Sequence, residues 1–377
     1  MEIKIIIGAN YGDEGKGLAA DYFAGQANND NILGVLTNGT AQRGHTVTLT
    51  DGRTHVFHHF SSATFQGADT YICKDFTVNP MIFVKELGEL EYKFDSLSAL
   101  RFYIHPECKV VTPFDMLRNL RERTISGLHN TCGAGYWNTL ERYDADIEPL
   151  TFGEVIKMDP VQLEYSLNQI YKYHFPKYSP LLTSIDIKGL IQHFIDDITV
   201  MAKWVEIAND NILNKYGTII FENGQGLLIG QQNDVDWNFC TPSYTGVYTA
   251  MKIIESNHLL TNDIEVCYVS RTYLTRHGDG PLDHICNSQD INPEIYDFTN
   301  VPNINQGTLR YGKLDTQELR KRIDADFWQT AFGTRRYTKS IMLTHWNEYE
   351  LDFLDDLSDG RIYISKGKIR EQVEENK

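Results

Sequence analysis

Cysteine is sparse in this 377-residue chain, and its six positions, Cys73, Cys108, Cys132, Cys240, Cys267 and Cys286, form no CxxC pair. Neither a disulfide framework nor a thiolate zinc site is indicated, and the thiols read as free and buried. No apolar run approaches the roughly 18 to 20 residues that a bilayer span needs. The opening MEIKIIIGAN places Lys4 inside a short strand-like run and not ahead of a cleavable apolar segment, so the expected location is cytoplasmic. Basic residues are also outnumbered: 35 Lys and Arg face 51 Asp and Glu, for a formal charge of -16. That balance argues against a nucleic-acid surface but says nothing against small anionic ligands. Any phosphate must then be held by local amides, a metal ion and a few placed cations.

Apolar residues make up 41% of the chain, enough for one large core or two fused smaller ones. No repeat, low-complexity tract or long linker divides the sequence, which predicts a single domain over 1–377. Ile3 to Ile7 and Asn31 to Leu36 are strand-like runs, and Lys16 to Phe23 between them can turn as helix. Strand, glycine loop, helix and strand is how an α/β nucleotide fold begins. Tyr71 to Cys73, Thr218 to Phe221 and Ile264 to Val269 are further candidate strands, each followed by polar, glycine-containing sequence. A site is therefore expected where strand ends release their loops. Helical spacing of apolar positions runs from Ile185 to Asn214, and the aromatic YKYHFPKY around Pro176, with Pro180 beyond it, reads as a packed crossover loop.

The segment NYGDEGKG, Asn10 to Gly17, follows the first strand. Gly12, Gly15 and Gly17 permit tight turns whose amides can point at an anion, and Lys16 adds charge beside them. It is not a full Walker A signature: Asn10 stands at the first glycine position, and Gly17 follows Lys16 where Ser or Thr is required. Asp13 is the unusual member. A carboxylate in a phosphate-binding turn repels its ligand unless it binds a divalent cation or takes a proton from a substrate. A second cluster, Asn38 to Thr46, brings the Gly44 turn, the His45 imidazole and the Thr46 hydroxyl together, a set suited to a phosphoryl oxygen or developing oxyanion. His55, His58 and His59 are interleaved with apolar residues and read as surface or core histidines, not zinc ligands.

On these residues the chain resembles the adenylosuccinate synthetase family. GANYGDEGKG and QRGHTV are similar to that family's GDEGKG loop and NAGHTV turn, and three later segments recur in family order: Thr131 to Tyr136, ENGQG at Glu222 to Gly226, and TRHGDGP at Thr275 to Pro281. GTLRYGKLD, Gly307 to Asp315, resembles the arginine-rich loop. The resemblance implies an α/β fold with a large central, mostly parallel sheet, flanking helices and long active-site loops, related to P-loop folds. It implies a ligase that joins L-aspartate to C6 of a purine nucleoside monophosphate through a 6-phosphoryl intermediate, with Mg²⁺ and ATP or GTP. IMP is the favoured acceptor, with a (d)GMP-aspartate ligase and an inactive nucleotide-binding regulator as alternatives.

Carried over residue by residue, Asp13 would deprotonate purine N1, His45 would donate a hydrogen bond or proton to a phosphate oxygen, and Gln225 would meet O6. Gly12, Glu14, Gly15, Lys16 and Gly17 would cradle phosphate, and Asp13 with the Gly44 carbonyl would hold Mg²⁺. Asn38, Thr46, Thr131, Thr241 and Arg276 would line the nucleotide sites, and Arg142 would reach a neighbouring subunit's nucleotide, implying a homodimer. Two departures stand out. The amino-acid loop retains Thr308 and a single clear arginine, Arg310. Where the family has TKLD to read guanine, this chain has Thr344, His345, Trp346 and Asn347. His345 and Trp346 could stack on a base, and Asn347 lacks the charge that favours guanine's donors, so ATP is placed slightly ahead of GTP.

Overall fold

The computed structural model describes residues 1–126, 132–176, 185–232, 239–261, 264–295, 307–351, 357 and 360–376. Its centre is a ten-stranded sheet. From one edge the strands are Glu206–Ile207, Phe102–Ile104, Asp69–Ile72, Ile32–Leu36, Thr218–Gly226, Glu2–Gly8, Ile264–Arg271, Tyr337–Thr344, Arg361–Ser365 and Val373–Asn376. All neighbours pair in parallel except the last two.

The first strand shows why its sequence is almost continuously apolar. Side chains alternate between the faces of a strand. Ile3, Ile5 and Ile7 join one buried cluster, while Ile6 joins another with Leu18, Ala19 and Phe23 of the helix Lys16–Gly25. A parallel sheet covered on both faces needs apolar residues at both parities. Lys4, the exception, is buried and ion-paired to Glu265 at 2.8 Å and Glu2 at 2.9 Å.

The five anticipated strands are all present, and Thr218–Gly226 extends past Phe221 into the ENGQG motif. The anticipated helix from Ile185 is shorter than its periodicity suggests. It spans Ile187–Trp204, capped by Asp186 accepting from the Gly189 N–H, and stops where Glu206 and Ile207 pair with Tyr103 and Ile104. The crossover-loop reading is corrected for Tyr171 to His174, which close the helix Pro160–His174, started by a capping box between Asp159 and Gln162. The remainder of that stretch, from 177, lies outside the described residues. No described helix is long and apolar enough to cross a membrane.

Arg142 also departs from expectation. It sits fully buried on the helix Tyr136–Asp144, with Nε 3.0 Å from Asp115 Oδ1 and Nη2 donating to Asp115 Oδ2 and the Val110 carbonyl. Nη1 donates to the carbonyls of Ile147 and Glu148. A guanidinium held on all sides within its own chain has no edge to offer a neighbouring subunit. Burial works to raise the Asp115 pKa, but the Arg142 charge and the His174 hydrogen bond outweigh it and hold it at about 2. Arg142→Met removes the paired charge and leaves that buried carboxylate to His174 and Thr112, and we expect a loss of about 3–5 kcal/mol in chemical denaturation, the usual cost of breaking a buried pair from one side. A loss below about 1 kcal/mol, the scale of exposed pairs, would contradict the assignment.

Candidate active site

The parallel strands Glu2–Gly8, Thr218–Gly226, Ile264–Arg271 and Tyr337–Thr344 release their loops at the same edge, and a cavity of about 800 Å³ opens there. Its floor is the turn from Tyr11 to Gly17. Gly12 and Gly15 have φ of 96° and 97°, which glycine alone adopts readily, and Gly15 starts the helix Lys16–Gly25 with no side-chain cap. The amides of that first turn are thus left for an anion. Gly226 runs beneath the turn so closely that a Cβ would lie 2.3 Å from the Asn10 carbonyl oxygen.

Gly12, Asp13, Gly15, Lys16, Gly17, Gly44, His45, Thr46, Gln225, Thr241, Arg276 and His345 all line this one cavity. Asp13 (φ 61°), Gln225 (φ 66°) and His345 (φ 61°) hold left-handed backbone conformations that cost non-glycine residues of order 1 kcal/mol or more. Three such residues around one cavity mark it as a site that the surrounding fold holds against strain. The Asp13 side chain is 42% exposed, its Oδ2 3.5 Å from His277 Nε2, and its carbonyl accepts from Arg271 Nε at 2.7 Å.

Glu14 has a different task from the phosphate contact inferred for it. Its buried carboxylate accepts from the N–H groups of Asn10 and Gly12 at 3.0 and 2.8 Å and pairs with Lys16 Nζ at 2.9 Å. A carboxylate drawing on the loop's own donors shapes the loop and would repel phosphate. Asn38 is likewise internal: its amide bonds both the N–H and carbonyl of Gly224 and the Ser243 hydroxyl, fixing the ENGQG turn from behind.

His45 is buried against a charged group that the motif does not reveal. Its Nδ1 lies 2.8 Å from Arg43 Nη2 and 3.2 Å from Glu222 Oε2, while Nε2 is buried without a partner among the described residues. Burial first, then the Arg43 and Lys16 charges, drive its pKa down to about 3 against the opposing pull of Glu222. The ring is therefore neutral near pH 7, and of the two roles inferred for it, hydrogen-bond donation fits better than proton donation. Burial would raise the Glu222 pKa, but the Arg43 charge, the neighbouring His45 ring and the Ser61 hydroxyl leave it at about 2.

Arg276 lines the cavity but is tied by its Nη atoms to the carbonyls of Pro281 and Phe239, with its guanidinium 5.1 Å from the Tyr11 ring. Thr241 Oγ1 accepts from Gln42 Nε2 at 3.1 Å. Two expectations for the amino-acid loop are corrected. Thr308 is exposed and outside the cavity lining, and Arg310 directs Nε and Nη2 to the carbonyls of Gly278 and Gly280, at 2.7 to 3.0 Å. That planar fork is spent on bracing the TRHGDGP loop. Thr131 lies outside the described residues.

Beyond Thr344, whose hydroxyl donates to the Glu14 carbonyl, Asn347 is exposed and does not line the cavity, and Trp346 packs against the core. Its neighbour Glu348 faces the cavity instead, accepting from the Tyr273 hydroxyl at 2.5 Å beside Arg271. The His345 ring meets Tyr273 edge-on at 5.8 Å, its pKa held well below the ordinary value by burial and by Arg271. Arg43, Glu222, Arg271, Tyr273, His277 and Glu348 are thus site residues that motif reading missed. Arg43 in QRGHTV, Glu222 in ENGQG and His277 in TRHGDGP lay inside the motifs, whereas Arg271, Tyr273 and Glu348 lay outside them.

An oxygen-preferring divalent cation takes one or two carboxylates and completes its shell with water and substrate phosphate. The accessible Asp13 carboxylate and the Gly44 turn, which line the same cavity as the glycine turn, fit that requirement. Separately, His284, Asp315 and Glu318 place ligand atoms within 4.8 Å of one another and form a potential divalent-cation cluster on the surface. Asp315 there also caps the helix Thr316–Phe327 through the N–H groups of Gln317 and Glu318.

The family model for adenylosuccinate synthetase matches residues 5–325, and the chain belongs to that family. It is 27% identical over 289 residues to the adenylosuccinate synthetase of Finegoldia magna, covering 73% of this chain and 64% of that protein. The Francisella tularensis subsp. tularensis enzyme (strain WY96-3418) is 25% identical over 295 residues, covering 74% and 64%. The chain thus spans just under two thirds of the length of these curated relatives. A fully ligated adenylosuccinate synthetase from Plasmodium falciparum shares the fold with a TM-score of 0.70 at 16% identity, over 100% of this chain and 87% of that one. Cyanophage S-2L succinoaminodeoxyadenylate synthetase, bound to dGMP and dATP, gives 0.65 at 15% identity, over 99% and 95%.

Proposed function

We propose that this chain joins L-aspartate to C6 of a purine nucleoside monophosphate, with IMP as acceptor, by phosphorylating O6 from a nucleoside triphosphate and then displacing phosphate with the amine. The observation that carries the reading is the gathering of Asp13, His45 and Gln225 around the amides of the glycine turn in one cavity. Asp13 is exposed where a substrate proton can reach it. Gln225 is held against Gly12, its Oε1 4.0 Å from where a Cβ on that glycine would be, in position to hydrogen-bond a purine oxygen beside the carboxylate. The turn amides and Lys16 would hold the phosphates, and His45 would donate from Nε2 to a phosphoryl oxygen. Transfer to O6 turns a poor leaving group into a good one, and the work of the site is positioning and charge stabilisation.

Asp13 and the Gly44 carbonyl would hold Mg²⁺, which would neutralise charge on the phosphate oxygens. A homodimer is carried over from family resemblance alone, without the contribution first assigned to Arg142. Phosphate release should be measured with IMP, GMP or dGMP, each with ATP or GTP, with and without aspartate. Release that requires IMP and aspartate supports the proposal. Release with only GMP or dGMP would reassign the acceptor, and none in any Mg²⁺-containing combination would sink the ligase reading.

The triphosphate base is assigned to the end formed by His345, Tyr273 and Glu348. A carboxylate is the acceptor that guanine's paired donors favour, and Glu348 now supplies what Asn347 could not. Glu348→Gln should lower kcat/KM for GTP relative to ATP by on the order of 10-fold, the scale of one charged hydrogen bond. Unchanged relative values would remove Glu348 from base recognition.

A further inference from the structure

We infer that Arg43 is a positioning residue that locks His45 in the tautomer carrying its proton on Nε2. A guanidinium can only donate. Arg43 Nη2 lies 2.8 Å from His45 Nδ1 and 2.6 Å from Glu222 Oε2, so its two hydrogens have one acceptor each.

Glu222 has no need of a proton from the imidazole. Oε2 already receives Arg43 and the Ser62 hydroxyl at 2.7 Å, and Oε1 receives the Ser61 hydroxyl at 2.5 Å and the Ser62 N–H at 2.9 Å. Two donors on each oxygen use the lone pairs of a carboxylate. A proton on Nδ1 would instead set two donors against each other at 2.8 Å in a site where His45, Arg43 and Glu222 are all buried. The longer 3.2 Å approach of Nδ1 to Glu222 is then bridged by the guanidinium and not by an imidazole hydrogen.

The consequence falls on Nε2, which is buried and partnerless among the described residues, on a ring that lines the cavity. With the proton there, it can donate to an unprotonated phosphoryl oxygen; in the other tautomer it would present a lone pair to that anion. In the turn that resembles NAGHTV, position 43 is where an arginine replaces a small apolar residue. Only the catalytic consequence rests on the proposed ligase reaction.

The test is nitrogen-15 NMR of the histidine rings at one near-neutral pH, with the His45 signal assigned by its loss in His45→Gln. The free wild-type protein should show the Nε2–H tautomer. Arg43→Met, which keeps the bulk and removes the donor, should shift His45 toward Nδ1–H, now free to donate to Glu222, and lower kcat by on the order of 10²-fold, the scale of one misaligned transition-state donor, with KM little changed. Arg43→Lys keeps a donor, should keep the Nε2–H signal, and should recover part of kcat. An Nδ1–H signal in the wild type, an unshifted signal in Arg43→Met, or a switched one in Arg43→Lys overturns the inference. Should Arg43→Met fail to fold, the wild-type and lysine spectra decide alone. These readouts do not depend on turnover, so their failure is distinct from an absence of phosphate release.

Discussion

Asp13→Asn is expected to lower kcat by on the order of 10²-fold or more, because it removes the proton acceptor, and a carboxylate proposed to hold Mg²⁺, without removing volume. Asp13 sits at φ 61° with its carbonyl pinned by Arg271 and its carboxylate in the open cavity beside His277. Asparagine tolerates the same left-handed backbone, so the substitution tests chemistry and not turn geometry. Steady-state kinetics with saturating acceptor, triphosphate, Mg²⁺ and aspartate make the comparison. A rate near wild type would take the base role away from this residue.

His45→Ala is expected to lower kcat by a similar order of 10²-fold, through loss of a donor that acts in a water-poor environment. Burial matters in this case. An exposed donor competes with solvent, whereas Nε2 is buried with no partner among the described residues, so its bond to a phosphoryl oxygen is made with little competition. Removing the ring also leaves Arg43 Nη2 with one acceptor in place of two, so a modest loss of stability should accompany the kinetic effect. An alanine variant with unchanged kcat would show that His45 is a structural partner of Arg43 and nothing more.

The elements that position the cavity were legible because their physics is local. Ile3 to Ile7 bounded by Gly8, and the glycines that follow, announce a buried strand and a tight turn whatever the rest of the chain does. Side-chain direction was the part that was not legible. Arg142 and Arg310 were placed at a site by motif position, but the partners that claim them, Asp115 for one and the Gly278 and Gly280 carbonyls for the other, are about 30 residues away in sequence. Glu14 shows the same effect at short range, since nothing in NYGDEGKG says that this carboxylate turns beneath the loop and not toward a ligand. After Thr344, the left-handed turn at His345 accompanies an exposed Asn347 and a Glu348 that accepts from Tyr273. Periodicity likewise gave the body of the helix Ile187–Trp204 but not its end, which is set by strand pairing with Phe102–Ile104.

The central claim is that phosphate passes to the purine oxygen before the amine arrives. It is tested most directly by labelling that oxygen: IMP carrying oxygen-18 at C6, turned over with unlabelled triphosphate, Mg²⁺ and aspartate, followed by mass analysis of the released phosphate. Transfer through a 6-phosphoryl intermediate predicts one heavy oxygen in each phosphate released. Unlabelled phosphate, with the heavy atom in water or still on the nucleotide, would contradict it.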